Sequence, residues 1–163
     1  MSTSEIVRVG RWTIRPDVRR TREAHAALTQ SGAAECSCDG CRNFAAVRAQ
    51  FLAGPIGAIL EQLGITPPLE VEVYETGRTE AGLHEYGGWF HFVGAIESGD
   101  QPWRKMPGNP AVRVPDFETL TQGLQIGFHT DAMLVRPSFK GMPLVQLEFT
   151  VDLPWLIDSE RPL

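Results

Sequence analysis

Ten residues near the C-terminus constrain this chain more than any others. Leu144 to Leu153 (LVQLEFTVDL) alternate: Val145, Leu147, Phe149, Val151 and Leu153 oppose Leu144, Gln146, Glu148, Thr150 and Asp152. Successive side chains of a strand point to opposite faces, so this pattern predicts one face in a core and the other mostly in water. A strand with one wet face belongs to an antiparallel sheet. Further segments fit the same sheet. Glu5 to Ile14 reads as one or two short strands ended by Pro16, Leu69 to Tyr74 (LEVEVY) alternates, and Trp89 to Ile96 (WFHFVGAI) is aromatic and β-branched. Leu124 to Phe128 and Met133 to Arg136 read as an interrupted strand. No regular helix separates the strands, which argues against a parallel βαβ sheet.

The helical signal is concentrated between Phe44 and Leu63. Phe44, Val47, Phe51, Leu52, Ile56, Ile59, Leu60 and Leu63 recur at intervals of three and four and form one stripe. Asn43 or Asp39 is the candidate cap. Gly54-Pro55 inside the stripe predicts a kink, or two helices in sequence. Gly64 is the stop, with Pro67-Pro68 beyond it. Asp17 to Leu28 is a weaker helix and Ser31 to Ala34 a turn. Gln101 to Pro115, with four prolines, reads as a long loop, and Asp116 to Thr121 as a short helical turn. The expected fold is a single α+β domain over residues 1–163: a mainly antiparallel sheet packed against one long or kinked helical segment.

Charge narrows the function. The net charge is −5, and the one basic cluster (Arg15, Arg19, Arg20, Arg22) is diluted by Asp17 and Glu23. A nucleic-acid surface needs a larger basic excess with stacking aromatics nearby, so none is expected. No apolar run reaches the roughly 18 residues of a membrane span, and Met1 to Arg11 has no apolar stretch of signal-peptide length. The expected location is the cytoplasm, with reduced thiols. Thirteen arginines against two lysines fit a GC-rich bacterial source. Partners are open between another protein and a second copy of the chain, with the proline-rich segment one candidate surface.

All three cysteines fall within six positions, in ECSCDGCRNF (Glu35 to Phe44). Three cysteines cannot pair completely, which argues against a disulfide framework. Thiolates bind zinc, a helix N-terminus favours thiolate over thiol, and closely spaced ligands from one loop lose little entropy on binding. Cys36, Cys38 and Cys41 are therefore the candidate ligands of a structural Zn2+. A fourth ligand must come from elsewhere. His84, in the glycine-rich AGLHEYGG, is favoured over His25, His91 and His129. Two other readings compete: a Cys38-x-x-Cys41 redox pair at a helix start, or three small buried hydrophobes. A metal with an open position, or a reactive Cys38 or Cys41, would make the protein an enzyme. His129-Thr130-Asp131, Glu85 beside His84, and the aromatics Trp89, Phe90, Phe92 and Trp103 are weaker candidates. No P-loop, G-x-G-x-x-G, G-x-S-x-G or H-E-x-x-H is present, and Gly87-Gly88 reads as a turn.

CSCDGC resembles half of the zinc framework of the glutathione-dependent formaldehyde-activating enzymes, which pair one C-x-C with a distant C-x-x-C. This chain has no cysteine outside 36–41, which sets it outside that family. ECSCDGCRNF, a helix and then a YGGWFHFVG strand are similar to uncharacterised bacterial proteins with a C-x-C-x-x-C-x-N-F element, over about a third of the chain. That similarity implies no activity.

Overall fold

A computed structural model describes residues 5–67 and 69–157. Pro68, the second proline of the helix stop, and the first four residues of the N-terminal segment lie outside the described residues.

The described residues form an α+β fold, with four α-helices and a mostly antiparallel sheet. Strands β1 (Val7–Val9) and β2 (Trp12–Pro16) form a hairpin, and helices α1 (Val18–Ala26), α2 (Gly32–Glu35), α3 (Asp39–Leu52) and α4 (Pro55–Leu63) follow. Then come β3 (Glu72–Arg78), β4 (His84–Ser98), β5 (Trp103–Met106), β6 (Asn109–Pro115), β7 (Glu118–Thr121), β8 (Leu124–His129) and β9 (Leu144–Leu153). The main sheet runs β1-β2-β4-β9-β8-β7. The fifteen-residue β4 is its centre: β9 lines one edge, and β3 and β2 share the other.

The periodic stripe forms as two helices rather than one long segment. Pro55 has no N–H to donate and sits in the first turn of α4, where none is needed. Gly64 closes α4 at φ 81°, a left-handed conformation that a side chain would strain. Phe44, Val47, Phe51, Ile56, Leu60 and Leu63 all enter the core. They pack on the sheet face that carries Tyr86, Phe90, Phe92, Leu147 and Phe149. Phe44 stacks on Phe149 with ring centroids 6.2 Å apart, and Phe51 meets the same ring at 4.9 Å.

The other face of the sheet departs from expectation. Gln146 is fully buried and Glu148 nearly so, where the alternation predicted a wet face. Helix α1 and the 3-10 turn Pro137–Phe139 cover part of it, laying Ala24 and Phe139 on Val93. Gln146 is the hub of the polar groups there, while His25 Nδ1, His91 Nδ1 and His129 Nε2 make no hydrogen bond among the described residues. Gln146 Oε1 accepts from the Met133 N–H (2.9 Å) and lies 2.9 Å from His91 Nε2, and its Nε2 donates to Glu148 Oε1 (2.8 Å).

Three local readings also change. Gln101–Pro115 contains the β5–β6 hairpin: Pro110 and Pro115 fall in β6, which pairs only with β5, and Pro102 and Pro107 lie outside the strands. Asp116–Thr121 contributes β7 instead of a helical turn, because pairing with β8 satisfies its backbone. Gly87-Gly88 is mid-strand: a Cβ at Gly87 would fall 2.5 Å from the Tyr74 ring, and one at Gly88 2.5 Å from the Glu72 carbonyl oxygen. These glycines serve close approach, not a turn. No helix among the described residues is long and apolar enough to cross a membrane.

Candidate metal centre

Cys36 follows α2, Cys38 caps α3, and Cys41 lies in the first turn of α3. The cap is Cys38 rather than Asp39 or Asn43: its Sγ accepts from the Cys41 backbone N–H at 3.4 Å. Asp39 instead pairs with Arg42 (2.9 Å). A cap that is a sulfur points an acceptor at the positive end of a fourteen-residue helix.

The three ligand atoms all lie within 4.8 Å of one another. Cys36 Sγ and Cys38 Sγ are 3.2 Å apart. Tetrahedral zinc with Zn–S bonds near 2.3 Å spaces its sulfurs by about 3.8 Å, so the donor set brackets that edge. The cysteines are thus close enough to bind a metal ion. Cys36 and Cys38 are exposed, Cys41 is 6% exposed, and none is in a disulfide. Their environments split them chemically. Hydrogen bonds from the Cys38 backbone, then from the Cys38 and Cys41 thiols, push Cys36 down, while burial pushes Cys41 up. Without a metal, Cys36 therefore gives up its proton more readily than Cys41.

The cluster opens into a cleft of about 480 Å³, lined also by Glu72, Glu75 and Trp155. The strand β3 supplies both carboxylates. Glu75 approaches the same turn: a Cβ at Gly40 would be in ordinary van der Waals contact with Glu75 Oε2 (3.4 Å) and Cys38 Sγ (3.9 Å).

His84 opens β4 with its side chain 2% exposed and its Nδ1 2.6 Å from Glu75 Oε1, and its ring stacks 4.7 Å from Trp155. Burial, then the charge of Arg78, lowers its pKa, so a neutral His84 donates its Nδ1–H to Glu75. Among the described residues, neither His84 nor any other histidine or carboxylate joins the three sulfurs. His25 Nε2 donates to the His91 carbonyl (3.0 Å) on the other side of the sheet. His129 accepts the Asp131 N–H on Nδ1 (3.1 Å), and its Nε2 lies 3.3 Å from Glu148. His129 and Asp131 therefore make a local turn contact, not a shared ligand face. Glu85 is exposed and accepts from Thr76 Oγ1 (2.6 Å), away from His84. Phe90 and Phe92 are core, Trp89 donates to the Met133 carbonyl, and Trp103 packs on Phe117.

Sequence reasoning missed the role of Asn43. It is fully buried and makes three hydrogen bonds. Nδ2 donates to Tyr86 Oη (3.2 Å) and the Pro154 carbonyl (3.0 Å), and Oδ1 accepts from the Leu156 N–H (2.7 Å). Tyr86 in turn donates to the Gly40 carbonyl (2.9 Å). Asn43 thereby ties the cysteine-bearing turn to β4 and to the segment carrying Trp155. An amide two positions past Cys41, facing inward with Phe44, was the available signal. Glu72 and Glu75 gave none, since glutamates along a strand at the sheet edge also suit solvent. In comparisons with known proteins, no family, no curated protein and no solved structure matches the chain.

Proposed function

We propose that Cys36, Cys38 and Cys41 hold one zinc ion, with a fourth position turned toward the cleft, and that the protein works through that position. The reading rests on one observation: three sulfurs within 4.8 Å of one another at the mouth of a cleft, two of them exposed. Closed structural sites carry four protein ligands, whereas catalytic and ligand-binding sites keep three and leave one position for water or substrate. Soft thiolates select zinc or copper(I) over magnesium or calcium.

The test is elemental mass spectrometry on protein purified without chelator or histidine tag. About one zinc per chain is expected, and Cys38→Ser strips it and lowers the unfolding temperature. Protein free of metal, with three titratable thiols, would end this reading.

The 3.2 Å separation of Cys36 and Cys38 favours a second one. In it, two thiols give two electrons to an external oxidant, lose two protons and form a disulfide. Metal-free protein that loses two hydrogens on mild oxidation, reversibly, would favour it.

A further inference from the structure

The pair Glu75–His84 is unexplained by metal binding alone. Glu75 lines the thiolate cleft with a side chain 6% exposed, and it accepts from His84, which is more deeply buried still. It lies outside the group formed by the three sulfurs but approaches the same turn, at Gly40, as Cys38 does. Glu75 and the three sulfurs thus line one cleft, with the carboxylate outside the sulfur group.

Charge gives such a carboxylate work. Three thiolates neutralise a zinc ion and leave one negative charge over, so a ligand at the fourth position loses its proton less readily than at a histidine-bound zinc. A base must then be supplied nearby, with its geometry fixed by a hydrogen bond. His84 supplies that bond, and its own orientation is set by Trp155. Glu72 also lines the cleft and adds negative charge, whereas Asp39 is offset by Arg42, so the site disfavours anions and accepts neutral molecules.

From these observations we infer that Glu75, positioned by His84, is the acid–base group of this cleft, acting on small neutral molecules with a polarised carbonyl, of the amide class. The inference rests on the zinc reading above. Glu75 takes one proton from the attacking water as its oxygen bonds to the carbonyl carbon. The C–N bond then breaks, and Glu75 returns the proton to the departing nitrogen. Nothing is oxidised or reduced. The ion, when bound, supplies Lewis acidity.

Acetohydroxamic acid is the probe: it is small and neutral, and must lose a proton to chelate a metal. Calorimetric titration of the zinc-loaded protein at pH 7, in buffers of different ionisation enthalpy, gives affinity and protons released together. The expected result is one molecule bound per chain with no net proton release, because Glu75 keeps the proton. In Glu75→Gln, Kd rises at least tenfold and about one proton per chain reaches the buffer. Glu72→Gln removes an equal charge from the same cleft and leaves the proton count at zero. Acetate, anionic and of similar size, binds far more weakly than the hydroxamic acid. Zinc content is measured on each sample.

Zinc-loaded protein that ignores the hydroxamic acid, a Glu75→Gln protein with wild-type affinity and proton count, or acetate binding equally tightly would overturn the inference and leave the zinc reading standing. Wild-type protein that holds no zinc would remove both.

Discussion

Asn43 is the residue through which fold and site are most directly coupled, and Asn43→Ala measures that coupling. The substitution removes three hydrogen bonds, at 3.2, 3.0 and 2.7 Å, from a fully buried side chain. Each such bond contributes a net ~1 kcal/mol, and a partner left buried without a replacement costs about 1–3 kcal/mol. Tyr86 Oη keeps the Gly40 carbonyl as its acceptor, so it is not orphaned. Leu156 is exposed, which lets its N–H turn to water. The full penalty therefore falls mainly on the Pro154 carbonyl, and the expected loss is about 3 kcal/mol by urea denaturation. Hydrogen exchange adds a site-specific readout. The Leu156 amide loses protection selectively, because its acceptor is gone, while amides of β9 such as Leu147 follow only the global change. A loss below ~1 kcal/mol with Leu156 still protected would refute the argument that Asn43 holds this segment. Asn43→Asp separates the two ends of the amide: it keeps an acceptor for Leu156 and abolishes both donations.

Three further predictions concern the frame around the site. Arg48 pairs with Glu70 (2.8 Å), whose side chain is wholly buried and whose pKa burial pushes up. Arg48→Met leaves that carboxylate without its cation and destabilises by about 3 kcal/mol at pH 7. The penalty shrinks toward pH 5, as Glu70 takes up a proton, and a pH-independent loss would contradict it. Burial lowers His25 and His91, each then offset in part by a hydrogen bond, from the His91 backbone and from Gln146. Below about pH 6.5 the unfolded chain binds protons that the folded chain does not. Stability is complete above that pH and falls as pH drops, by up to about 1.4 kcal/mol per unit for each histidine, and His91→Gln makes the urea midpoint less pH-dependent between 7.5 and 5.5. An unchanged slope would exclude His91 as a source. Gly88→Ala places a Cβ 2.5 Å from the Glu72 carbonyl oxygen and 2.7 Å from Phe149 Cζ, and overpacking of that kind costs about 1–3 kcal/mol. A change under ~0.5 kcal/mol in denaturant would show that β3 yields freely.

Residues near in sequence were legible, and residues joined only by the fold were not. The stripe from Phe44 to Leu63 and the alternation of Leu144 to Leu153 fix a helix face and a strand because periodicity is a local property of the backbone. The closeness of the three cysteines was legible for the same reason, since so short a stretch of chain cannot separate their sulfurs far. Gln146 and Glu148 read as solvated because nothing along β9 signals that α1 and the 3-10 turn cover part of that face of the sheet, or that His91, 55 residues away in sequence, lies beside Gln146 on the neighbouring strand. His84 was drawn to the cysteines by its chemistry. The register of β3 against β4 set Arg78 opposite His84 and brought Glu75 within reach of its ring, so that the carboxylate faces the thiols and the imidazole stands behind it. Sequence determined the clustering of the three cysteines and the strand and helices that carry the core, because those depend on spacing along one segment. Tertiary structure decided what surrounds the donors, because Glu75, Trp155 and Asn43 meet there only through strand pairing and hydrogen bonds that span up to 113 residues of chain.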